Sequence, residues 1–198
     1  RALGSVAVEH ELAFRATLTG FKWISRVPGL VFGYEEALGY CCDPQAVRDK
    51  DGISAAVLLA ELAAELQGSG GLLHRLDQLA LRHGVRLTAP LSFRVADLSL
   101  IADAMERLRA QPPAELAGSP VTVTDLSAGS GQLPPTDGIV LLSERGDRAV
   151  IRPSGTEPKL KCYLEAVEAP DEDLAGARDR ASGRLTRIRA ELRSVLGL

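Results

Sequence analysis

Apolar positions recur three and four apart in some stretches of these 198 residues and every second residue in others, and each change of period marks an element. Residues 1–10 are weakly helical, with Leu3 and Val6 on one side. Glu11–Leu18 alternates as a strand does and ends at Thr19-Gly20; Phe21–Val27 suits one or two helical turns before the Pro28-Gly29 break. Leu30-Val31-Phe32 is continuous, which predicts a strand over Gly29–Tyr34 covered on both faces. Asp51-Gly52 opens a helix over Ile53–Gln67 that is apolar around most of its circumference and therefore expected to be largely buried. Gly68-Ser69-Gly70-Gly71 breaks the chain, and Leu72, Leu73, Leu76, Leu79 and Ala80 define a narrower amphipathic helix ending near Gly84.

Val85–Val95, interrupted by Pro90, reads as an extended connection and puts a domain boundary near residue 90, giving parts 1–90 and 91–198. A helix capped by Asp97 carries Leu98, Ile101, Ala102, Met105 and Leu108 on one face and stops at Pro112-Pro113. Strands are expected at Val121–Leu126, Ile139–Ser143, Ala149–Arg152 and Lys159–Val167. The polar turn Glu144-Arg145-Gly146-Asp147 predicts antiparallel pairing of the second and third. A last helix, Asp173–Val195, repeats apolar residues a turn apart from Leu174 to Leu192 and would cover the sheet. The expected fold class is mixed: an α/β sheet domain, then a small α+β domain whose antiparallel sheet is covered by helices.

Composition narrows the chemistry. With 45% hydrophobic residues the chain is not a disordered one, and a formal net charge of −3 argues against broad attraction to nucleic acid or to an anionic membrane. No run reaches the eighteen or so apolar residues of a membrane span, and no signal peptide opens the chain, so cytoplasm is the expected address. Cys41, Cys42 and Cys162 form no metal-ligand spacing and are expected to be reduced; His10, His74 and His83 are scattered and read as structural. The sequence begins at Arg1 within an uncapped helical pattern, so the chain is expected to be cut from something longer.

One stretch carries chemistry. In Ile151–Glu165, Pro153 and Pro158 fix φ at two points and Gly155 permits a backbone turn closed to other residues, predicting a stiff bent loop between strands. Arg152 offers a planar fork of donors, Ser154 and Thr156 offer hydroxyls, and Lys159 and Lys161 add positive charge: a cradle for phosphate. The same residues also suit a hairpin corner whose arginine pairs with a surface carboxylate. Upstream, Glu35 and Glu36 lie between Gly33 and Gly39. Carboxylates accept hydrogen bonds from sugar hydroxyls, although a solvated acidic turn has the same composition.

Arg152-Pro153-Ser154-Gly155-Thr156-Glu157-Pro158-Lys159 resembles the phosphate-binding loop of the α-D-phosphohexomutases, which include phosphoglucomutases and phosphomannomutases. Gly33–Tyr40 resembles their Gly-Glu-Glu-Ser sugar-binding loop, with Ala37 where many members have serine and Tyr34 where they have glycine. Thr17–Trp23 resembles their Thr-Pro-Thr-Gly-x-Lys loop, and Arg48–Gly52 their Lys-Asp-Gly helix start. The resemblance implies that Arg152, Ser154, Gly155 and Thr156, with Lys161 a weaker candidate, bind phosphate; that Glu35, Glu36 and Lys50 bind the sugar; and that Lys22 is catalytic, in a partly desolvated place between aromatics. It further implies phosphoryl transfer between C1 and C6 of a hexose phosphate through a phosphoserine and Mg2+ whose loops do not occur in this sequence, so no metal site is expected here. Most of a third domain and all of a fourth would be present, which makes the first an incomplete α/β sheet domain, with the missing N-terminal domains of the same protein as partners and the isolated chain inactive. A phosphopentomutase, a glucose-bisphosphate-forming relative and a non-catalytic phosphosugar-binding fragment are the alternatives.

Overall fold

The computed structural model describes every residue except Gln132 and Thr156. The chain divides into two compact units, Arg1–Leu79 and Ala80–Leu198.

In the first unit, α1 (Ala2–Glu9) and the short α2 (Phe21–Ile24) precede a hairpin of β1 (Gly33–Glu35) and β2 (Gly39–Cys41); α3 (Gly52–Glu65) and the start of α4 (Gly71–His83) follow. The hairpin is antiparallel, setting Tyr34 opposite Tyr40 and Glu35 opposite Gly39. Phe21, Ile24 and Cys41 form a small core with Leu30 against it. Three expectations change here. Glu11–Leu18 forms no strand: alternation becomes a strand only where a neighbour takes up its backbone hydrogen bonds, and no strand among the described residues pairs with it. The expected strand over Gly29–Tyr34 shrinks to Gly33–Glu35, and Val31 is 72% exposed instead of covered. The helix expected to be buried forms, with the Asp51 carboxylate accepting from the Ile53 and Ser54 N–H groups, yet α3 has no buried residue and Ile53, Val57 and Leu59 are exposed. Apolar residues bury only against an apolar partner, and none among the described residues covers this face.

The second unit is a six-stranded antiparallel sheet in the order β3-β8-β7-β6-β5-β4. Its strands are β3 (Arg86–Arg94), β4 (Glu115–Leu116), β5 (Ser119–Asp125), β6 (Ile139–Ser143), β7 (Arg148–Pro153) and β8 (Lys159–Val167). Helices α5 (Ser99–Ala110) and α6 (Leu174–Leu196) complete it. Pro90 sits within β3, which tolerates it because β3 is an edge strand with one side free of ladder bonds. One sheet face, including Phe93, Leu141, Ile151, Leu160 and Leu164, packs with Ile101, Met105 and Leu108 of α5 and Ala181, Ile188 and Leu192 of α6 in a continuous core. Asp147 is part of that interior. The turn around it reads as polar in sequence, and Asp147 is nonetheless fully buried, accepting from the Val167 N–H at 2.8 Å and from Arg184 Nε at 2.8 Å. Period-two side chains place Arg152, Lys161 and Tyr163 on the opposite face of the sheet, away from the helices.

Candidate functional site

The loop between β7 and β8 is closed by its own backbone: the Ser154 N–H donates to the Lys159 carbonyl at 2.8 Å, and the Pro158 carbonyl accepts from the Val95 N–H at 3.1 Å. The Ser154 N–H is therefore occupied, leaving its hydroxyl as the group that residue offers a ligand. Gly155 does not take the left-handed conformation its sequence context predicted, and a Cβ built there meets nothing within 4 Å. Its bare backbone opens onto free space, and no described residue would meet a side chain there. Thr156 lies outside the described residues.

The register of β7 and β8 sets Arg152 directly opposite Lys161. Like charges at such a position repel. Arg94, brought in by its pairing with Lys159, and Lys159 itself both contact Glu157, at 3.8 and 2.7 Å. The Lys159 hydrogen bond and the charges of Lys159, Arg94 and Lys161 hold the Glu157 carboxyl below its ordinary pKa. Among the described residues neither Arg152 nor Lys161 forms an ion pair within 4 Å, although the Lys161 charge acts on Glu157. The Arg152 guanidinium instead lies over the Tyr163 ring at 5.7 Å, its Nη2 reaches the Tyr163 hydroxyl at 3.4 Å, and its buried Nε has no hydrogen-bond partner. Three other arginines of this unit are matched by carboxylates: Arg109 by Asp125 and Asp137, Arg180 by Glu168 and Asp171, Arg184 by Asp147 and Glu168.

In the first unit the side chain of Glu35 is only 8% exposed and both its oxygens are engaged. One pairs with Lys50 Nζ and the other accepts from the Gly20 N–H at 2.9 Å. Lys50 also donates to the Ala37 carbonyl at 3.2 Å. Three sequence motifs thus meet at one carboxylate. Gly39 makes room for this: a Cβ there would come within 2.5 Å of the Phe21 ring, 2.7 Å of Glu35 Cγ and 3.0 Å of Lys50 Cε. Glu36, in contrast, is exposed beside the Tyr34–Tyr40 ring pair. Lys22 is exposed as well, with Nζ 5.6 Å from the Trp23 ring centre. The partly desolvated setting expected for it is absent, because its helix turns Phe21 and Ile24 inward and Lys22 outward.

Arg94 and Tyr163 escaped the sequence reading. Arg94 enters only through the β3–β8 register, which no local pattern encodes; Tyr163, two residues beyond Lys161 in an alternating strand, was detectable as a residue sharing Arg152's face. Among the described residues no three His, Cys, Asp or Glu side chains gather to hold a metal, and no single helix is long and apolar enough to cross a membrane.

Comparison with known proteins identifies the family. Residues 1–80 match the family described as phosphoglucomutase/phosphomannomutase, alpha/beta/alpha domain III, and residues 91–182 match phosphoglucomutase/phosphomannomutase, C-terminal domain. The chain belongs to the phosphoglucomutase/phosphomannomutase family. Among curated relatives, a probable phosphomannomutase of Haemophilus influenzae is 45% identical over 83% of this chain and 34% of its own length. A human phosphopentomutase (33%) and a human glucose 1,6-bisphosphate synthase (32%) align with 86% and 87% of the chain, each over 32% of its own length. The chain thus spans about a third of the length of these mutase-family relatives. The open-form crystal structure of parafusin, a Paramecium phosphoglucomutase, shares the fold with a TM-score of 0.66 at 17% identity, covering 99% of this chain and 37% of that one.

Proposed function

We propose that this chain supplies the sugar- and phosphate-binding residues of a phosphosugar mutase. The observation that carries the reading is Arg152 set opposite Lys161 on an open sheet face, with no carboxylate between them among the described residues. A phosphate group there neutralises both charges and takes charge-assisted hydrogen bonds from the arginine fork. The Ser154 hydroxyl and the open backbone at Gly155 complete the cradle, and the sequence motif assigns Thr156 to it as well. The first unit reads the sugar: Glu36 is free to accept from hydroxyls, while Glu35 and Lys50 hold the motif loops together and present their remaining lone pair and N–H capacity. Lys22 adds positive field.

In the intact enzyme a phosphoserine outside this chain donates its phosphoryl to a hydroxyl of the bound sugar monophosphate, and the hydroxyl proton leaves to a base. The resulting bisphosphate turns round and its other phosphate returns to the serine, regenerating the phosphoenzyme. Magnesium, whose ligands we place outside this chain, supplies charge neutralisation at the transferring group. The residues here bind the spectator phosphate and orient the ring, which is the larger part of what phosphoryl transfer asks of a protein. Hexose phosphates are the proposed substrates; the human phosphopentomutase among the relatives makes pentose phosphates the second reading.

In the full-length protein, Arg152→Ala is expected to weaken glucose 6-phosphate binding by about 2 kcal/mol, roughly thirtyfold, in titration calorimetry. Glu36→Gln is expected to change the ranking of mannose, glucose and ribose phosphates while leaving the affinity for inorganic phosphate in place. Unchanged affinity in Arg152→Ala removes the phosphate assignment.

A further inference from the structure

A half-buried arginine with no carboxylate beside it needs something to hold it in place. Arg109, Arg180 and Arg184 are held by carboxylates, Arg107, Arg145 and Arg189 reach backbone carbonyls, and Arg193 lies over Phe93. Along the groove lined by Arg145, Arg180, Arg184 and Arg187, two of the arginines are clamped by Asp147, Glu168 and Asp171, which fix their guanidinium groups and also cancel their charge. Arg152 is held differently. Tyr163 stands on the neighbouring strand opposite Val150, one diagonal step from Arg152 on the same sheet face. Its ring lies 5.7 Å from the guanidinium carbon and its hydroxyl 3.4 Å from Nη2. Pro90 pairs with Tyr163 from the other side, so the ring stands between two strands, Arg152 alongside it.

A ring and a carboxylate differ in what they leave behind. A carboxylate consumes donors in a fork-to-fork pair and neutralises the cation. A ring face attracts the cation through its quadrupole, worth about 0.5–2 kcal/mol, and leaves the net charge and the edge N–H groups for another ligand. Arg152 Nε is buried and makes no hydrogen bond, so an anion would meet this group through its Nη atoms.

We infer that Tyr163 is a positioning residue for phosphate recognition: it fixes the Arg152 guanidinium while keeping its positive charge available to the anion. The inference rests on the phosphate-binding reading of Arg152 given above, and deepens it by naming what orients that group. It also accounts for an aromatic residue at the end of the sheet where Arg152 and Lys161 stand opposite each other.

The test is a double-mutant cycle in the full-length protein, with inorganic phosphate and glucose 6-phosphate as probes. Tyr163→Leu is expected to weaken both about three- to tenfold, as loss of a ring–cation contact predicts. Tyr163→Phe, which retains the ring, should stay within about twofold of the parent. In the Arg152→Ala background, Tyr163→Leu should have no further effect, and in turnover the loss should fall on KM with kcat retained. If Tyr163→Leu does not fold, Tyr163→Met carries the same cycle. Additive losses, or a Tyr163→Phe as weak as Tyr163→Leu, overturn the inference. Full affinity in Tyr163→Leu alongside a large loss in Arg152→Ala also overturns it, and leaves the phosphate reading standing. Unchanged affinity in Arg152→Ala overturns both.

Discussion

The first unit is the richer in apolar residues, and the two units put them to opposite use. In the second, the apolar stripe of α6 meets the sheet, and Ala177, Ala181, Ile188, Leu192 and Leu196 are all at 0% exposure. In the first, α3 is the more apolar helix by sequence, yet Ile53 stays 80% exposed and Leu59 54%. The core of the first unit comes down to Phe21, Ile24 and Cys41, and its motif loops are held as much by polar contacts around Glu35 as by packing. Apolar composition sets how much a helix can bury; whether it does depends on a facing surface. The second unit carries its own partners for every helix, and the first does not among the described residues.

The largest expected effect tests this directly. Leu192→Ala removes a fully buried side chain and should destabilise the second unit by about 2–5 kcal/mol, transfer and cavity costs together. The same change at Leu59 in α3 should stay within about 0.5 kcal/mol, as for other surface positions. Guanidinium unfolding resolves the two, because the single tryptophan, Trp23, lies in the first unit and reports on it alone while circular dichroism follows the whole chain. A Leu59→Ala loss comparable to that at Leu192 would break the comparison, since it requires that α3 be covered in solution.

Acid should separate the units next. Five carboxylates of the second unit are held below their ordinary pKa: Asp97 and Asp125 chiefly by backbone N–H groups of Ser99 and Ser127, Glu157 by Lys159, and Asp171 by the Asp173 N–H with Arg180. The fifth, Glu168, is pushed up by burial, but hydrogen bonds from Arg184 and Arg180 outweigh that. In the first unit only Asp51, bonded by the Ser54 hydroxyl and N–H, is so depressed among the described residues. A depressed carboxylate binds fewer protons folded than unfolded, so its stabilisation is complete above the unfolded pKa of about 4 and disappears as pH falls through the folded value. Midpoints for the second unit should therefore be flat above about pH 5 and fall steeply below about pH 4, with a smaller slope for the Trp23 transition. Glu168→Gln should flatten the steeper limb; an unaltered slope would detach the acid response from this network.

The same asymmetry governs what was legible in the sequence. Strand period, the Arg152 loop and the capping residue Asp51 are local features, and Ile139–Ser143 and Lys159–Val167 form where alternation places them. Partners are not local. The register that opposes Arg152 with Lys161, the arrival of Arg94 beside Glu157 and the descent of Asp147 into the core each depend on a segment distant in sequence. Burial of α3 was misread for the same reason: its composition is visible along the chain, but the absence of a facing surface is not. Glu35 was legible as a sugar-reading carboxylate and not as the clasp joining Gly20 to Lys50, because three loops converge on it only in the fold.

The smallest effect uses the three cysteines as depth gauges. Cys162 is 1% exposed in the core of the second unit, and burial pushes its pKa up to about 12. Cys41 is at 0% exposure in the small core of the first unit, its thiol also raised, mainly by burial and then by Cys42. Cys42 beside it is half-buried. Thiolate is the reacting form, so a buried thiol waits for its surroundings to open. Timed alkylation read by peptide mass should label Cys42 first without loss of structure, then Cys41 as the first unit opens, and Cys162 last, at the rate of opening of the second. Static exposure alone gives Cys41 and Cys162 equal protection; the difference between them measures the difference between the two cores. Labelling of Cys162 in step with Cys41 would mean that the units open together, and that the contrast in packing does not become a contrast in stability.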